Sequence, residues 1–223
     1  MTLLDEVLAA HGGREAWESA REVTARIRGG GIALPMKGAH APFREFRVQI
    51  TMAEPRAVIT PYPGGRGVYE RDSVWIESDR GDVIERRDDM RRRFPGGRRR
   101  LWWDRLDGLY FAGYALWNYF TTPLLLTRCE LRERGRELMA RFPPDVPSHA
   151  PTTKFTFDER GLLTRLDYTA QVFGEWARAK HLCSGHETFD GLVYPTVRRV
   201  TPRRWSGPVL VALDVDEVSV SRA

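Results

Sequence analysis

Residues 102–120, WWDRLDGLYFAGYALWNYF, place eight aromatic side chains in 19 positions. The stretch reads as one helix in a chain whose other segments read mostly as short strands. A helix that is apolar on most faces must be buried or must span a membrane. A span needs about 20 mostly apolar residues. Here Asp104, Arg105 and Asp107 interrupt the start, Asn118 lies near the end, and Thr121-Thr122-Pro123 follows directly. A transmembrane helix is therefore rejected. At about 3.6 residues per turn, Trp103, Leu106, Tyr110, Gly113 and Trp117 share one face, and Asp104, Asp107, Phe111, Tyr114 and Asn118 share an adjacent one. The first face reads as core. The second reads as a polar seam looking into a cavity or, for the two aspartates, as a cap complementing the helix dipole.

Outward from this helix, alternating apolar and polar residues mark short strands on both sides. Before it they fall at 22–28, 43–51, 56–60, 67–71, 73–77 and 82–86; after it at 130–134, 136–142, 153–157, 162–169, 176–183, 196–201 and 209–220. Residues 157–162, FDERGL, are the clearest hairpin, with Gly161 at the position that needs a positive φ. The N-terminus carries two short helices, at 3–10 and 14–19, separated by His11-Gly12-Gly13. Gly29-Gly30-Gly31 lacks the spacing of a phosphate loop and reads as a flexible turn or bulge. Sequential short strands imply an antiparallel sheet that curls. The concave face of a curled sheet has to be filled, and the aromatic helix is the element bulky enough to fill it. The expected fold is mostly β (α+β), a curled and unclosed antiparallel barrel of about 10–12 strands with a central helix, forming one domain over residues 1–223.

Composition narrows the function. The net charge of +5 comes almost wholly from arginine, lysine occurring only at positions 37, 154 and 180. The densest run, from Arg86 to Arg100, reads as a solvated rim or as an anion contact. No helix-turn-helix, zinc-finger or RNA-binding signature accompanies it, so nucleic acid is not an expected partner. Two cysteines, Cys129 and Cys183, exclude a disulfide scaffold and a structural zinc site and fit a reducing compartment. The N-terminal residues show no basic segment, apolar run or cleavage site of a signal peptide, and a cytoplasmic location is expected.

Several stretches carry a family resemblance. His11-Gly12-Gly13-Arg14-Glu15-Ala16-Trp17 leading into a strand is similar to the opening of the LolA/LolB-like lipoprotein-carrier superfamily. Residues 67–77, GVYERDSVWIE, look like its paired middle strands. WDRL at 103–106, YFAGYALW at 110–117, LTRLDY at 163–168 and YPTVRRV at 194–200 look like uncharacterised actinobacterial proteins of that architecture. The resemblance implies an unclosed barrel with a helix in its concavity, holding a hydrophobic ligand such as an acyl chain.

Candidate chemistry lies in three places. Arg165 and Asp167 are two apart on one strand and face the same side. On the outer face they are a surface ion pair; on the inner face they would be a buried pair able to bind a carboxylate or move a proton. His181 shares a strand face with Ala179 and Cys183 and is a candidate acid or base. A metal site would need further ligands that no motif supplies, and no cofactor fingerprint is present. The expected function is binding of a hydrophobic or aromatic small molecule in the half-barrel. Tyr110, Phe111, Tyr114, Trp117 and Asn118 would contact the ligand. The alternative is a cofactor-independent cyclase or isomerase of natural-product assembly, with Asp104, Asp107, Arg165, Asp167 and His181 as catalytic groups. A structural or protein-binding module is the third reading.

Overall fold

A computed structural model describes residues 2–39, 41–94, 96–204 and 207–222. Thr2 caps the first helix, α1 (Leu3–Ala10), through a capping box with Asp5, and α2 (Arg14–Ser19) follows. Both helices lead into a run of strands set by alternating burial. These are β1 (Ala20–Gly30), β2 (Glu45–Thr51), β3 (Arg56–Tyr62), β4 (Gly65–Glu70), β5 (Ser73–Glu77) and β6 (Val83–Arg87). The short α3 (Ala33–Met36) lies between β1 and β2, and α4 (Met90–Arg93) follows β6. The long helix is α5 (Arg105–Thr121). After it come β7 (Glu130–Arg134), β8 (Glu137–Arg141), β9 (Thr152–Phe157), β10 (Leu163–Thr169), β11 (Arg178–Phe189), β12 (Leu192–Pro202) and β13 (Val211–Arg222).

Among the described residues, 13 strands form one antiparallel sheet in the order β6-β5-β4-β3-β2-β1-β13-β12-β11-β10-β9-β8-β7. The barrel is unclosed, as expected, but it holds 13 strands where 10–12 were expected. First and last strands pair in the middle of the sheet, with Ile27 opposite Val215. The two edges are β6 and β7, which immediately flank the α4–α5 segment in the chain. The chain must cross from one edge of the trough to the other, and α5 is that crossing. This connectivity places the helix in the concavity. Both edge strands are charged on both faces (VIERR and ELRER), which protects an open edge from pairing with another chain.

The main core lies between α5 and the concave face of β1–β5, with Trp17, Tyr69, Trp103, Leu106, Tyr110 and Trp117 buried. A second core packs α1 against β8–β10 through Leu3, Val7, Leu138, Phe155 and Leu163. The 157–162 hairpin forms as read: the Asp158 carboxylate accepts from the amides of Arg160 and Leu162, and Gly161 has φ +82°. The glycine triplet differs from expectation. Gly29 and Gly30 belong to β1, and a Cβ at Gly29 would lie 2.0 Å from the Phe43 carbonyl oxygen, so a close backbone approach fixes glycine there. No helix among the described residues is long and apolar enough to cross a membrane.

Candidate functional site

The site follows from where α5 is held. Its packing partners on the sheet are β2, β3, β4 and β5. Closest approach is at Gly113, where a Cβ would lie 2.3 Å from the Cβ of Tyr69. Trp117 Nε1 donates to the Thr51 carbonyl at 3.0 Å, and the Tyr62 hydroxyl donates to the Arg105 carbonyl at 2.5 Å. The N-terminus is locked by a capping box: Asp104 accepts from the Asp107 amide at 2.9 Å, and Asp107 accepts from the Asp104 amide at 3.2 Å. Three guanidiniums of the arginine-rich run close on this pair. Asp107 is fully buried and contacts Arg87 at 3.0 Å, Arg98 at 3.0 Å and Arg99 at 2.6 Å. Asp104 contacts Arg87 at 2.8 Å and also pairs with Arg98. Burial alone would raise the Asp104 carboxyl, but Arg87, the Asp107 amide and Arg98 hold it down at about 2.

With α5 anchored on one half of the trough, the other half is left open. A cavity of about 860 Å³ lies between the helix and β9–β13. The helix presents Phe111, Tyr114, Ala115, Asn118 and Tyr119 to it. The sheet presents Phe155 on β9, Leu166 and Tyr168 on β10, Ala179 on β11, Val200 on β12 and Val211 on β13. The connecting segments add Phe142, His149, Phe173 and Trp176. Asn118 Nδ2 donates to the carbonyls of Tyr114 (2.8 Å) and Pro147 (2.7 Å), tying the 142–151 segment across the helix. His149 Nε2 lies 2.9 Å from the Tyr110 hydroxyl. Burial, with Arg91 as the lesser cause, pulls His149 down to about 4, so it is neutral near pH 7. The Tyr119 and Tyr168 hydroxyls interact with each other, and burial raises both phenols. The lining is therefore mostly apolar, with a few neutral hydrogen-bonding groups and, besides these, the charged Lys37, Glu175, Arg178, Arg203 and Arg204.

The sequence-derived candidates separate on this geometry. Phe111, Tyr114 and Asn118 line the cavity, whereas Tyr110 and Trp117 sit on the sheet side of the helix, both essentially buried in the core. None of the five acid/base candidates is among the lining residues. Asp104 and Asp107 are spent on the helix cap and the three arginines. Arg165 and Asp167 alternate with the cavity-facing Leu166 and Tyr168, so they lie on the convex face. There Asp167 is held by Arg165 at 2.7 Å and Lys154 at 3.7 Å. His181 is inward-facing, as its strand alternation implied, but fully buried one ring behind the wall, with centroids 5.0 Å from Tyr119 and 6.4 Å from Tyr168. Neither of its ring nitrogens has a hydrogen-bond partner among the described residues. Burial lowers its pKa well below the usual histidine range.

Sequence reasoning missed His149, Tyr119, Tyr168 and Lys37. Tyr168 was legible, because it must face opposite to Arg165 and Asp167. His149 and Lys37 come from irregular segments without periodicity. Lys37 is buried at the cavity's edge, donates to the Arg99 carbonyl at 3.2 Å and lies 5.6 Å from the Trp103 ring and 5.7 Å from the Phe173 ring. Burial lowers its pKa. Among the described residues no group of three or more histidine, cysteine, aspartate or glutamate side chains is placed to hold a metal ion.

No protein-family model matches the chain, and no curated protein matches it by sequence. Solved structures do match. The chain is similar to a LolA superfamily protein from Nitrosomonas europaea, at 13% identity and a TM-score of 0.47, covering 100% of this chain and 96% of that one. It is also similar to a DUF1329 family protein from Desulfovibrio piger, at 12% identity and a TM-score of 0.56, covering 98% of this chain and 91% of that one. At 12% identity over nearly both full lengths, the second likeness shows a shared fold.

Proposed function

We propose that the protein binds a hydrophobic small molecule, of acyl-chain, lipid-like or polyketide-like character, in the trough between α5 and β9–β13. The observation that carries this reading is the cavity of about 860 Å³, whose walls are mostly aromatic and aliphatic. Its volume lies within the roughly 300–1,000 Å³ typical of small-molecule sites. Phe111, Phe155, Leu166, Val200 and Val211 would contact the apolar body of the ligand. The Tyr119 and Tyr168 hydroxyls, His149 and Lys37 would orient any polar group it carries. The likeness to a LolA superfamily protein adds no functional weight of its own, since fold does not fix function. Acid/base catalysis would require proton-transferring groups at the cavity. None of those read from the sequence lies there; His149, Tyr119, Tyr168 and Lys37 do, and a cyclase or isomerase reaction in the same cavity would have to use them. A cytoplasmic site of action is part of this proposal, and it rests on the low cysteine content of the sequence.

The test is uptake of a fluorescent fatty-acid probe by the purified protein, compared with an Ala115→Trp variant. Ala115 faces the cavity from the helix, so the indole would occupy the ligand's space. Micromolar uptake by the native chain and loss of it in a folded variant are expected. Uptake unaffected by the indole would place the ligand elsewhere.

A further inference from the structure

The mouth of the cavity has a surface character of its own. Among the described residues, ten large apolar side chains are exposed. Four of them, Ile32, Met36, Leu101 and Trp176, line the cavity itself, the last two at 81% exposure each. Two more flank it. Trp102 lies against Gly38, and Val209 accepts from the Ile32 amide through its carbonyl. The other four are on β6, β8 and β11. Exposed apolar residues scattered singly need no explanation, but a contiguous set around an opening marks an interaction surface.

The same rim is cationic. Arg178, Arg203 and Arg204 line the mouth, and no side-chain ion pair or hydrogen bond engages them among the described residues. Arginines elsewhere in the chain are mostly matched to carboxylates, as Arg26 is to Glu45, Arg28 to Asp216 and Arg199 to Asp214. Arg98, whose charge is met by Asp104 and Asp107, stacks its guanidinium 5.0 Å from the Trp102 ring beside the rim. Among the described residues, Glu175 is the only acidic one lining the cavity.

We propose that this rim docks on the surface of an anionic lipid bilayer. Leu101, Trp176 and Met36 would enter the interfacial layer, where tryptophan is favoured. Arg178, Arg203 and Arg204 would meet lipid phosphate oxygens. The two features have one occupant in common: a surface that is apolar in depth and negatively charged at its boundary. The rim encircles an apolar cavity, so docking lets a hydrophobic ligand pass between bilayer and trough without crossing water. The docking rests on the binding function proposed above but is measured separately from it.

The experiment is co-flotation of the purified protein with phosphatidylcholine vesicles, with and without phosphatidylglycerol, alongside uptake of a fluorescent fatty-acid probe in vesicle-free solution. The native protein floats with the anionic vesicles in low salt and not with the zwitterionic ones. Replacing Arg178, Arg203 and Arg204 by glutamine lowers the partition by on the order of 100-fold, from about tenfold per 1.4 kcal/mol and the typical attraction of each cation. The Leu101→Glu, Trp176→Glu double variant fails to float. Both variants keep their circular dichroism, since the altered side chains are exposed, and probe uptake in vesicle-free solution is read on the native chain. Absence of flotation with anionic vesicles overturns docking, as does flotation unchanged in both variants. So does a solution dimer that Trp176→Glu disperses, because the rim would then be covered by a second copy. A native protein that floats but takes up no probe refutes the binding function and leaves docking standing.

Discussion

Gly113→Ala separates two physical effects with opposite signs. Helix propensity alone says alanine should stabilise α5 by about 1 kcal/mol. The structure says otherwise. The added methyl would stand 2.3 Å from Cβ and Cγ of Tyr69, and 2.9 Å from its Cδ1. Carbon atoms in contact sit about 3.5–4.0 Å apart, so either partner has to retreat by more than about 1 Å. Tyr69 cannot turn away, because the clash is at the root of its side chain and the ring is fully buried against Tyr110. Overpacking of this kind costs about 1–3 kcal/mol and sometimes more, which exceeds the propensity gain at the upper part of that range. We expect a net loss of about 1–2 kcal/mol, or roughly 2–8 °C in Tm for a chain of this length. The helix can yield only away from β4, into the cavity, so affinity for a hydrophobic probe should fall as well. Gly30→Ala is the control, because its Cβ meets only the Ala212 methyl at 3.6 Å. Thermal melts and probe titrations of the two variants suffice. A Gly113→Ala protein that melts at or above the native temperature and keeps its affinity would refute the claim that this contact sets the depth of the helix.

Two further outcomes follow from the charged groups. Asp107→Asn leaves Arg87, Arg98 and Arg99 around a neutral, fully buried amide, and urea unfolding should show a loss of about 3 kcal/mol, the low end for a broken buried pair because Arg98 is half exposed; native-like stability would mean that the arginines are held by solvent. His11 and His149 are each pulled to about 4 by burial from an unfolded value of 6.5, so the unfolded chain binds more protons between those values. Stability is complete above about pH 6.5 and falls on acidification towards pH 4, by up to about 1.4 kcal/mol per pH unit per histidine. Asp104, held at about 2, adds its loss only below about pH 3.8. Unfolding midpoints from pH 7.5 to 4.5 check the slope, which His149→Gln should reduce.

The parts of this molecule that were legible in the sequence are those governed by periodicity. Trp103, Leu106, Tyr110 and Trp117 fall on one helical stripe and are all buried, and alternation in residues 163–169 placed Arg165 with Asp167 and opposite Tyr168. What periodicity does not encode is which half of the trough the helix occupies. That depends on Gly113 meeting Tyr69, a contact between residues 44 positions apart in sequence. Without it, the face carrying Asp104, Asp107, Phe111, Tyr114 and Asn118 looks like one seam. In three dimensions the seam divides along the helix axis. Its first turn meets the arginines of β6 and residues 98–99, and only its later turns see the cavity. The arginine-rich run divides in the same way: Arg91, Arg92 and Arg93 are exposed, whereas Arg87, Arg98 and Arg99 meet this chain's own Asp104 and Asp107, which no local pattern discloses.

The size of the cavity bears on why the helix is pinned at both ends. Residual cavities left in protein cores cost about 24 cal/mol per Å³. A sealed, empty void of about 860 Å³ would on that scale cost on the order of 20 kcal/mol, more than the roughly 5–15 kcal/mol by which whole domains are stable. An unanchored aromatic helix would slide across the trough and close such a space, gaining contacts with Leu166, Val200 and Val211. The geometry opposes this in three places: the Asp104–Asp107 lock on Arg87, Arg98 and Arg99; the Trp117–Thr51 hydrogen bond; and the Asn118 bridge to Pro147. Each of these orders a polar group that collapse would leave unpaired. A cavity held open against collapse, with apolar walls and a mouth to solvent, is stabilised most by an apolar occupant. Ligand binding should therefore raise the melting temperature of the native chain, and should raise it least in the variants that already displace the helix.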